Sequence, residues 1–418
     1  MGWNSWDAYG LTIDEEQFRA NAQVLAGVKS HGWNYAVIDE GWYLKNPLAR
    51  AGEFQFTWDA NGRLTPDPAR FPSAAQGAGF KPLADWVHKL GMKFGIHILR
   101  GIPRGVQRDN LPVAGASFHA TDVADTADTC PWNADNYGVR DTPAGQAYYD
   151  SVMRLYAQWG VDFLKVDCIA DHPYKPAEIR MIAQAIRKSG RPIVLSLSPG
   201  PTNLSHAPEV AEYSQMWRIA DDIWDGWTFP GQRFPNGLLS AFDNLAKWAK
   251  YARPGEWPDA DMLPWGSLTP HPGWGRPRDS HLTQDELRTQ FTLWAVARSP
   301  LILGGNLTKL DEFTRGLITN KDVIAVNQTT TASEEIAGEA PDAARYRVWY
   351  ATASGGRRYL AVFNLQETAL NQDIAWPAAL AGKEHAAFDI WNQRPVGAAK
   401  ILHVELPLHG CALFRIEQ

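Results

Sequence analysis

The sequence predicts a (β/α)8 barrel followed by an antiparallel β-sandwich. Three observations carry that expectation. Short apolar runs alternate with helical segments through the first three-quarters of the chain, and eight such runs can be counted. Polar residues fall repeatedly at the C-terminal ends of those runs, the end where barrels of this class carry their chemistry. After about residue 330 the pattern changes to strands without helices. A doubly wound open sheet is the alternative reading of the same alternation. The expected division is 1–325 for the barrel and 326–418 for the sandwich.

The first run is Gly2-Trp3-Asn4-Ser5-Trp6. Asp14 is a plausible cap for the helix after it, whose Phe18, Ala22 and Leu25 recur at helical spacing. The second run, Tyr35–Ile38, leads into Asp39-Glu40. A helix over Leu83–Leu90 precedes the third, Phe94–Leu99, which contains His97. Residues 101–142 form a long polar excursion, and connections of that length are usually functional. The Tyr148–Trp159 helix feeds the fourth run, Phe163-Leu164-Lys165-Val166-Asp167. Residues i and i+2 of a strand share a face, so Lys165 and Asp167 point the same way. A helix over Ala177–Lys188 leads to the fifth run, Pro192–Ser198. The sixth is Met216–Asp222, with Arg218 and Asp222. The seventh is Asp259–Leu263, with Asp261, and the eighth, Pro300–Gly304, follows a helix over Thr283–Ala297. In the last segment Tyr346–Tyr350 and Tyr359–Phe363 bracket Ser354-Gly355-Gly356, which reads as a hairpin. Phe388–Trp391, Ile401–Val404 and Cys411–Phe414 add strands.

Composition narrows the function classes. The chain has 418 residues and a net charge of −6, with no basic stripe for a nucleic-acid partner. No apolar run approaches the ~20 residues of a membrane helix. Nineteen tryptophans are heavy use of that residue. They suit either a large core or a carbohydrate site, where flat rings cover the apolar faces of sugars. Three cysteines, Cys130, Cys168 and Cys411, form no disulfide framework and have no metal-ligand spacing.

Two carboxylates facing one pocket can hydrolyse a glycosidic bond, one as nucleophile and one as proton donor and acceptor. A neighbouring cation keeps the nucleophile ionised, and Lys165 is placed to do this for Asp167. Adjacent negative charge raises the pKa of an acid, and Asp222 follows Asp221. Taken singly, Lys165–Asp167 reads as a structural ion pair and Asp221-Asp222 as a helix cap. The whole ring of polar strand ends reads as a catalytic site. A divalent ion held by Asp39, Glu40, His97, Asp167 and Asp261 is a second reading, but no His-x-His or His-Glu-x-x-His spacing supports it. A sugar-binding protein without catalysis is a third. It accounts for the tryptophans but not for the carboxylates.

The ordered motifs resemble those of glycoside hydrolase family 27, the clan D α-galactosidases. They are Gly2-Trp3-Asn4-Ser5-Trp6, Ile38-Asp39-Glu40-Gly41-Trp42, Gly91-Met92-Lys93-Phe94-Gly95-Ile96, Lys165-Val166-Asp167, Arg218-Ile219-Ala220-Asp221-Asp222 and Asp259-Ala260-Asp261-Met262. The resemblance implies a retaining exo-glycosidase that needs no cofactor or metal. It implies Asp167 as nucleophile and Asp222 as acid/base, with Arg218 beside it. Trp6, Asp39, Glu40, His97, Lys165, Ser198, Arg218 and Asp261 are the implied sugar-binding residues. Cys130 and Cys168 resemble positions that pair in some members, and Trp132 and Asn133 lie in a loop that reaches the pocket. The partner implied is a carbohydrate, and the compartment expected from that substrate is secreted or periplasmic.

Three departures modify the implied substrate. The family's galactosidases typically carry two aspartates where this chain has Asp39-Glu40. The extra methylene of Glu40 pushes a carboxyl toward the space of a sugar C6 hydroxymethyl. A similar change is associated with members that prefer β-L-arabinopyranosides, which are α-D-galactosides without C6. His97 stands where many members have Tyr, and Ser198 occupies a position that is Glu or Ser in the family, here without the large carboxylate. Terminal α-D-galactosyl and β-L-arabinopyranosyl groups are therefore both expected substrates. An α-N-acetylgalactosaminidase is the alternative within the clan.

Overall fold

The computed structural model describes residues 1–50, 52–268, 276–336 and 345–417. The fold is a (β/α)8 barrel with a C-terminal antiparallel β-domain, and the chain divides into two compact units. The first unit comprises Met1–Asp221, Gly266–Asp279 and Ile302–Leu310. The second comprises Asp222–Trp265, Ser280–Leu301 and Asp311–Gln418.

The first unit holds strands β1 (Gly2–Asn4), β2 (Tyr35–Ile38), β3 (Lys93–Leu99), β4 (Phe163–Asp167), β5 (Val194–Leu197) and β6 (Met216–Arg218). Strand β7 (Trp257–Asp259) belongs to the second unit, and β8 (Ile302–Leu303) returns to the first. Within the first unit the strand order is β6-β5-β4-β3-β2-β1-β8, with parallel pairing throughout. The seventh run therefore forms its strand two residues earlier than the sequence indicates. Asp261 lies beyond the strand with φ 88°, a turn conformation and not an extended one.

Register aligns the polar strand ends. His97 pairs with Lys165, Leu99 with Asp167, and Lys165 with Ser196. Helix boundaries follow local chemistry. Helix α1 (Glu15–Gly27) starts on a capping box in which Asp14 accepts from the Gln17 N–H at 2.8 Å and Gln17 accepts from the Asp14 N–H at 3.2 Å. Helices α2 (Lys81–Lys89), α3 (Pro143–Trp159) and α4 (Pro176–Ser189) each carry proline in the first turn, where its missing N–H costs nothing.

The polar excursion is not a loop throughout. It forms a three-stranded antiparallel sheet of Ile102–Pro103, Ala124–Thr129 and Asn136–Val139, with a short helix over Arg104–Arg108. These strands are too polar and too short for alternation to show them.

In the second unit, helix α5 (Gln284–Ala297) begins on a Thr283/Glu286 capping box. Thr289 Oγ1 donates to the His409 carbonyl at 2.6 Å, and His409 Nδ1 meets Glu286 Oε1 at 2.7 Å. These contacts join α5 to the C-terminal strands within the second unit. A six-stranded sheet includes Tyr346–Ala353, Arg358–Asn364 and Cys411–Ile416; Leu370–Ala375 pairs with Ile401–Leu406 in a second sheet. One apolar core draws Val348, Leu360, Val362 and Phe414 from the first and Leu370, Leu402 and Val404 from the second. Alternate burial along Ile401–Leu406 is the period-2 signature of a sheet with one wet face.

Most tryptophans turn out to be core. Trp3, Trp33, Trp42, Trp217, Trp265, Trp294 and Trp349 are among the largest fully buried side chains. Trp132 differs, at 46% exposed. Among the described residues, no helix is long and apolar enough to cross a membrane.

Candidate active site

Asp39 follows the last residue of β2 and is 1% exposed. Its carboxylate accepts from Asn4 Nδ2 at 2.6 Å and from Lys165 Nζ at 2.9 Å. His97 Nε2 lies 4.0 Å from its other oxygen, and the Ser5 hydroxyl oxygen accepts its backbone N–H at 2.9 Å. Burial opposes ionisation here, but Lys165, His97 and the Glu40 N–H outweigh it and hold the Asp39 carboxyl well below the usual carboxylate range.

Glu40, one residue on, has the opposite environment. Burial first, then the negative charges of Asp167 and Asp39, push its pKa from 4.5 up to about 8, against the pull of Lys165. Asn133 Nδ2 donates to Glu40 Oε1 at 3.0 Å. Adjacent carboxyls thus take opposite protonation states near neutral pH. Lys165, expected beside Asp167 because the two share a strand face, makes its ion pair with Asp39.

Asp167 ends β4, and its Oδ2 accepts from Trp132 Nε1 at 3.2 Å. Trp132 and Asn133 therefore bring one loop onto both Asp167 and Glu40. That loop is fastened by the Cys130–Cys168 disulfide, with Cα atoms 6.0 Å apart. Cys168 follows Asp167 directly and has φ 62°. Its carbonyl accepts from Arg100 Nε at 2.7 Å, while the Arg100 backbone N–H reaches the Asp167 carbonyl at 3.1 Å. The Arg100 guanidinium is 2% exposed and also holds Glu178 at 2.8 Å and both oxygens of Asp128 at 2.9 and 3.0 Å. Lys175 adds a second cation on Asp128 at 2.8 Å. A Cβ on Gly138 would stand 2.2 Å from Asp128 Oδ2, so the missing side chain makes room for this cluster.

The remaining expected residues occupy defined places. Trp6 is half-buried, and its N–H reaches Asn4 Oδ1 at 2.9 Å. Ser198 is buried beyond β5, and its carbonyl accepts from Ile169 at 3.1 Å. Arg218 is buried in β6, and its carbonyl takes the Thr202 hydroxyl at 2.8 Å. Asp222 and Asp261 lie in the second unit. Asp261 is 2% exposed and accepts the N–H groups of Ile223 and Met262, both at 2.7 Å. It thereby anchors the backbone immediately after Asp222. No helix starts at Asp221-Asp222, so the helix-cap reading of that pair fails. Asp221 instead stands 3.3 Å from His172 Nε2.

Sequence reasoning passed over Asn4, Arg100 and Glu178. Asn4 sits inside a quoted motif, and its polarity within an apolar strand was the available signal. Arg100 directly follows the apolar run at Leu99, also a legible position. Glu178 lies on an ordinary helical face and gives no signal. Among the described residues, no group of three or more His, Cys, Asp or Glu is arranged to hold a metal ion.

Comparison with known proteins places this geometry. The family model described as Alpha galactosidase A matches residues 1–108 and 132–329. That for the Alpha galactosidase C-terminal beta sandwich domain matches 343–416. Alpha-galactosidase A of Cellvibrio japonicus is 28% identical over 444 residues, covering 100% of this chain and 91% of that protein. The crystal structure of a family 27 β-L-arabinopyranosidase from Geobacillus stearothermophilus is 42% identical, with a TM-score of 0.94 over 100% of this chain and 96% of that one. A variant of that enzyme in complex with arabinose is 41% identical, with a TM-score of 0.93 over the same shares.

Two outcomes follow from this geometry. Arg100→Met leaves Glu178 buried without its cation and should cost about 3–5 kcal/mol of stability, read by denaturant unfolding. Glu40 has a folded pKa of about 8, above the 4.5 of a free glutamate, so the folded state holds its proton more tightly. The stability this proton confers is complete below about pH 4.5 and is lost as pH rises through about 8. The melting temperature of the unmodified chain should therefore fall, relative to Glu40→Gln, by a few degrees across that window. Parallel melting curves for the two proteins would contradict this.

Proposed function

Because the chain belongs to glycoside hydrolase family 27, the α-galactosidase family, we propose that Asp167 and Asp222 carry its retaining hydrolysis and that Glu40 tilts its preference toward β-L-arabinopyranosides. The enzyme is a glycoside hydrolase releasing terminal galactosyl or arabinopyranosyl units, and retention is a property of the family. In this reading an Asp167 oxygen attacks the anomeric carbon as Asp222 gives its proton to the departing glycosidic oxygen. Asp222, now a base, then takes a proton from water. The water oxygen attacks the same carbon and frees Asp167. The Trp132 indole N–H supports the charge on Asp167 before attack. Asp39, ionised and fixed by Asn4 and Lys165, accepts sugar hydroxyls, while Lys165 donates to them.

The observation that carries the sugar preference is Glu40 itself. It is longer than aspartate, fastened by Asn133, and inclined to hold its proton at neutral pH. A neutral carboxyl offers both volume and a hydrogen-bond donor where a hydroxymethyl group would otherwise sit. The β-L-arabinopyranosidase named above, 42% identical, supports this choice. The Cys130–Cys168 disulfide supports a secreted or periplasmic compartment, where such bonds persist.

A side-by-side assay on p-nitrophenyl β-L-arabinopyranoside and α-D-galactopyranoside tests the preference. The arabinopyranoside should have the higher kcat/KM, and Glu40→Asp should move the ratio about tenfold toward the galactoside. An unmoved ratio removes Glu40 from the explanation. Asp167→Ala and Asp222→Ala should each lose about a thousandfold or more in kcat. The loss at Asp167 should persist with an activated leaving group and be relieved by added azide. Near-normal turnover by Asp167→Ala without azide would refute its assignment.

A further inference from the structure

Asn133 is the residue through which the loop after Cys130 reaches Glu40. Its Nδ2 donates to Glu40 Oε1 at 3.0 Å, and its Oδ1 accepts the Asp135 backbone N–H at 3.0 Å. A backbone N–H can only donate, so the Asn133 atom facing it is the oxygen, and the atom facing Glu40 is the amide nitrogen. The orientation of the Asn133 amide is thus set by its own turn and not by Glu40.

The turn is itself held on both sides. Before it, Cys130 is bonded to Cys168, the residue after Asp167. After it, the Arg104 N–H donates to the Asp135 carbonyl at 3.0 Å, and the buried Asn136 donates through Nδ2 to the Arg100 carbonyl at 3.0 Å. The stretch from Pro131 to Asp135 therefore runs between two fixed points, with Asn133 at its centre. Such a residue does not follow Glu40 if that side chain turns away.

Glu40 depends on this hold. Its backbone N–H donates to Asp39 Oδ1 at 2.8 Å, which fixes the main chain and leaves the side chain its own rotations. Among the described residues, the Asn133 amide makes the one hydrogen bond to the Glu40 carboxyl. Burial, the charges of Asp167 and Asp39 and, more weakly, Asp135 keep that carboxyl neutral near pH 7 against the pull of Lys165. An amide N–H seeks the carbonyl-type oxygen of a neutral carboxyl, since the other oxygen carries the hydrogen. With Oε1 taken by Asn133, the proton belongs on Oε2.

We propose that Asn133 is a specificity-determining positioning residue: it holds Glu40 by Oε1, which sets the proton on Oε2 and keeps the longer side chain in the space of a C6 hydroxymethyl group. This rests on the reading of Glu40 as the residue that tilts the sugar preference, and it names what makes the extra methylene effective. A glutamate free to rotate would yield to a C6 hydroxymethyl; one tied to a fixed loop does not.

The test uses the full chain with its disulfide formed and reads the ratio of kcat/KM on p-nitrophenyl β-L-arabinopyranoside to that on α-D-galactopyranoside. Asn133→Ser keeps a turn, because a serine oxygen also accepts the Asp135 N–H, but it is too short to reach Glu40. It should move the ratio about fivefold toward the galactoside, the value of one lost hydrogen bond. Asn133→Ala should do the same, and a melting curve confirms that each variant is folded. In a Glu40→Asp background, whose carboxyl stops short of the loop, Asn133→Ser should leave the ratio where Glu40→Asp alone puts it. Glu40→Gln should keep the native ratio to within about twofold, because Asn133 holds the amide oxygen as it holds Oε1. A ratio that moves with Glu40→Asp but not with Asn133→Ser overturns the role of Asn133 and spares that of Glu40. A ratio that moves with Asn133→Ala alone assigns the effect to the turn and overturns the contact. An equal shift by Asn133→Ser in both backgrounds shows that it does not act through Glu40. A ratio unmoved by Glu40→Asp removes both readings.

Discussion

The guanidinium of Arg100 is the constraint on which the Asp167 end of the barrel depends. It sits at the end of β3, almost without solvent, and donates to the Cys168 carbonyl, Glu178 and Asp128. A buried cation is tolerable only if nearly every donor finds an acceptor. Here the acceptors come from three different stretches of chain, so satisfying one side chain orders all three. Burial raises the Glu178 carboxyl, Arg100 pulls it back, and the Tyr149 hydroxyl donates to its other oxygen. A planar fork of five donors does this; a lysine ammonium at the same place has neither the reach nor the geometry.

A second arrangement concerns how few cations serve how many acids. Asp39, Glu40 and Asp167 lie close enough to influence one another electrostatically, and Lys165 makes its ion pair with Asp39. The pair lowers the pKa of Asp39, and Glu40 keeps a proton because it is buried and faces two neighbouring negative charges. Electrostatics thereby sorts adjacent residues of similar chemistry into an acceptor and a donor. The single methylene that separates Asp from Glu changes where the proton-bearing group stands.

Much of this was legible in the chain. The eight runs reappear as strands, because parallel strands buried on both faces need continuous apolar stretches. Their polar ends were visible for the same reason, as exceptions in an apolar context. Asp39, Glu40, His97, Lys165 and Asp167 could be picked out this way. The partner of Lys165 could not. Periodicity places Lys165 and Asp167 on one face, but pairing register puts His97 opposite Lys165, and Asp39 just past β2 is reached by the length of the lysine side chain. The strands at Ala124–Thr129, Thr330–Ile336 and Leu370–Ala375 were missed, since their polar residues obscure any alternation. The number of tryptophans left a large core and a carbohydrate surface both open, and burial decides for the core in most of them.

The Cys130–Cys168 bond closes a loop across a separation of 38 residues. In the chain-entropy picture such a closure removes about 4 kcal/mol worth of freedom from the unfolded ensemble. The same bond holds Trp132 and Asn133 over Asp167 and Glu40. Fold stability and the order of the loop over Asp167 and Glu40 are thus written into one covalent link. A reducing medium acts on both at once: it widens the denatured ensemble and leaves the loop to the ion pairs of Asp128 with Arg100 and Lys175. For this protein, the redox history of a preparation is therefore part of its enzymology, because oxidised and reduced molecules differ in the loop that contacts Asp167 and Glu40.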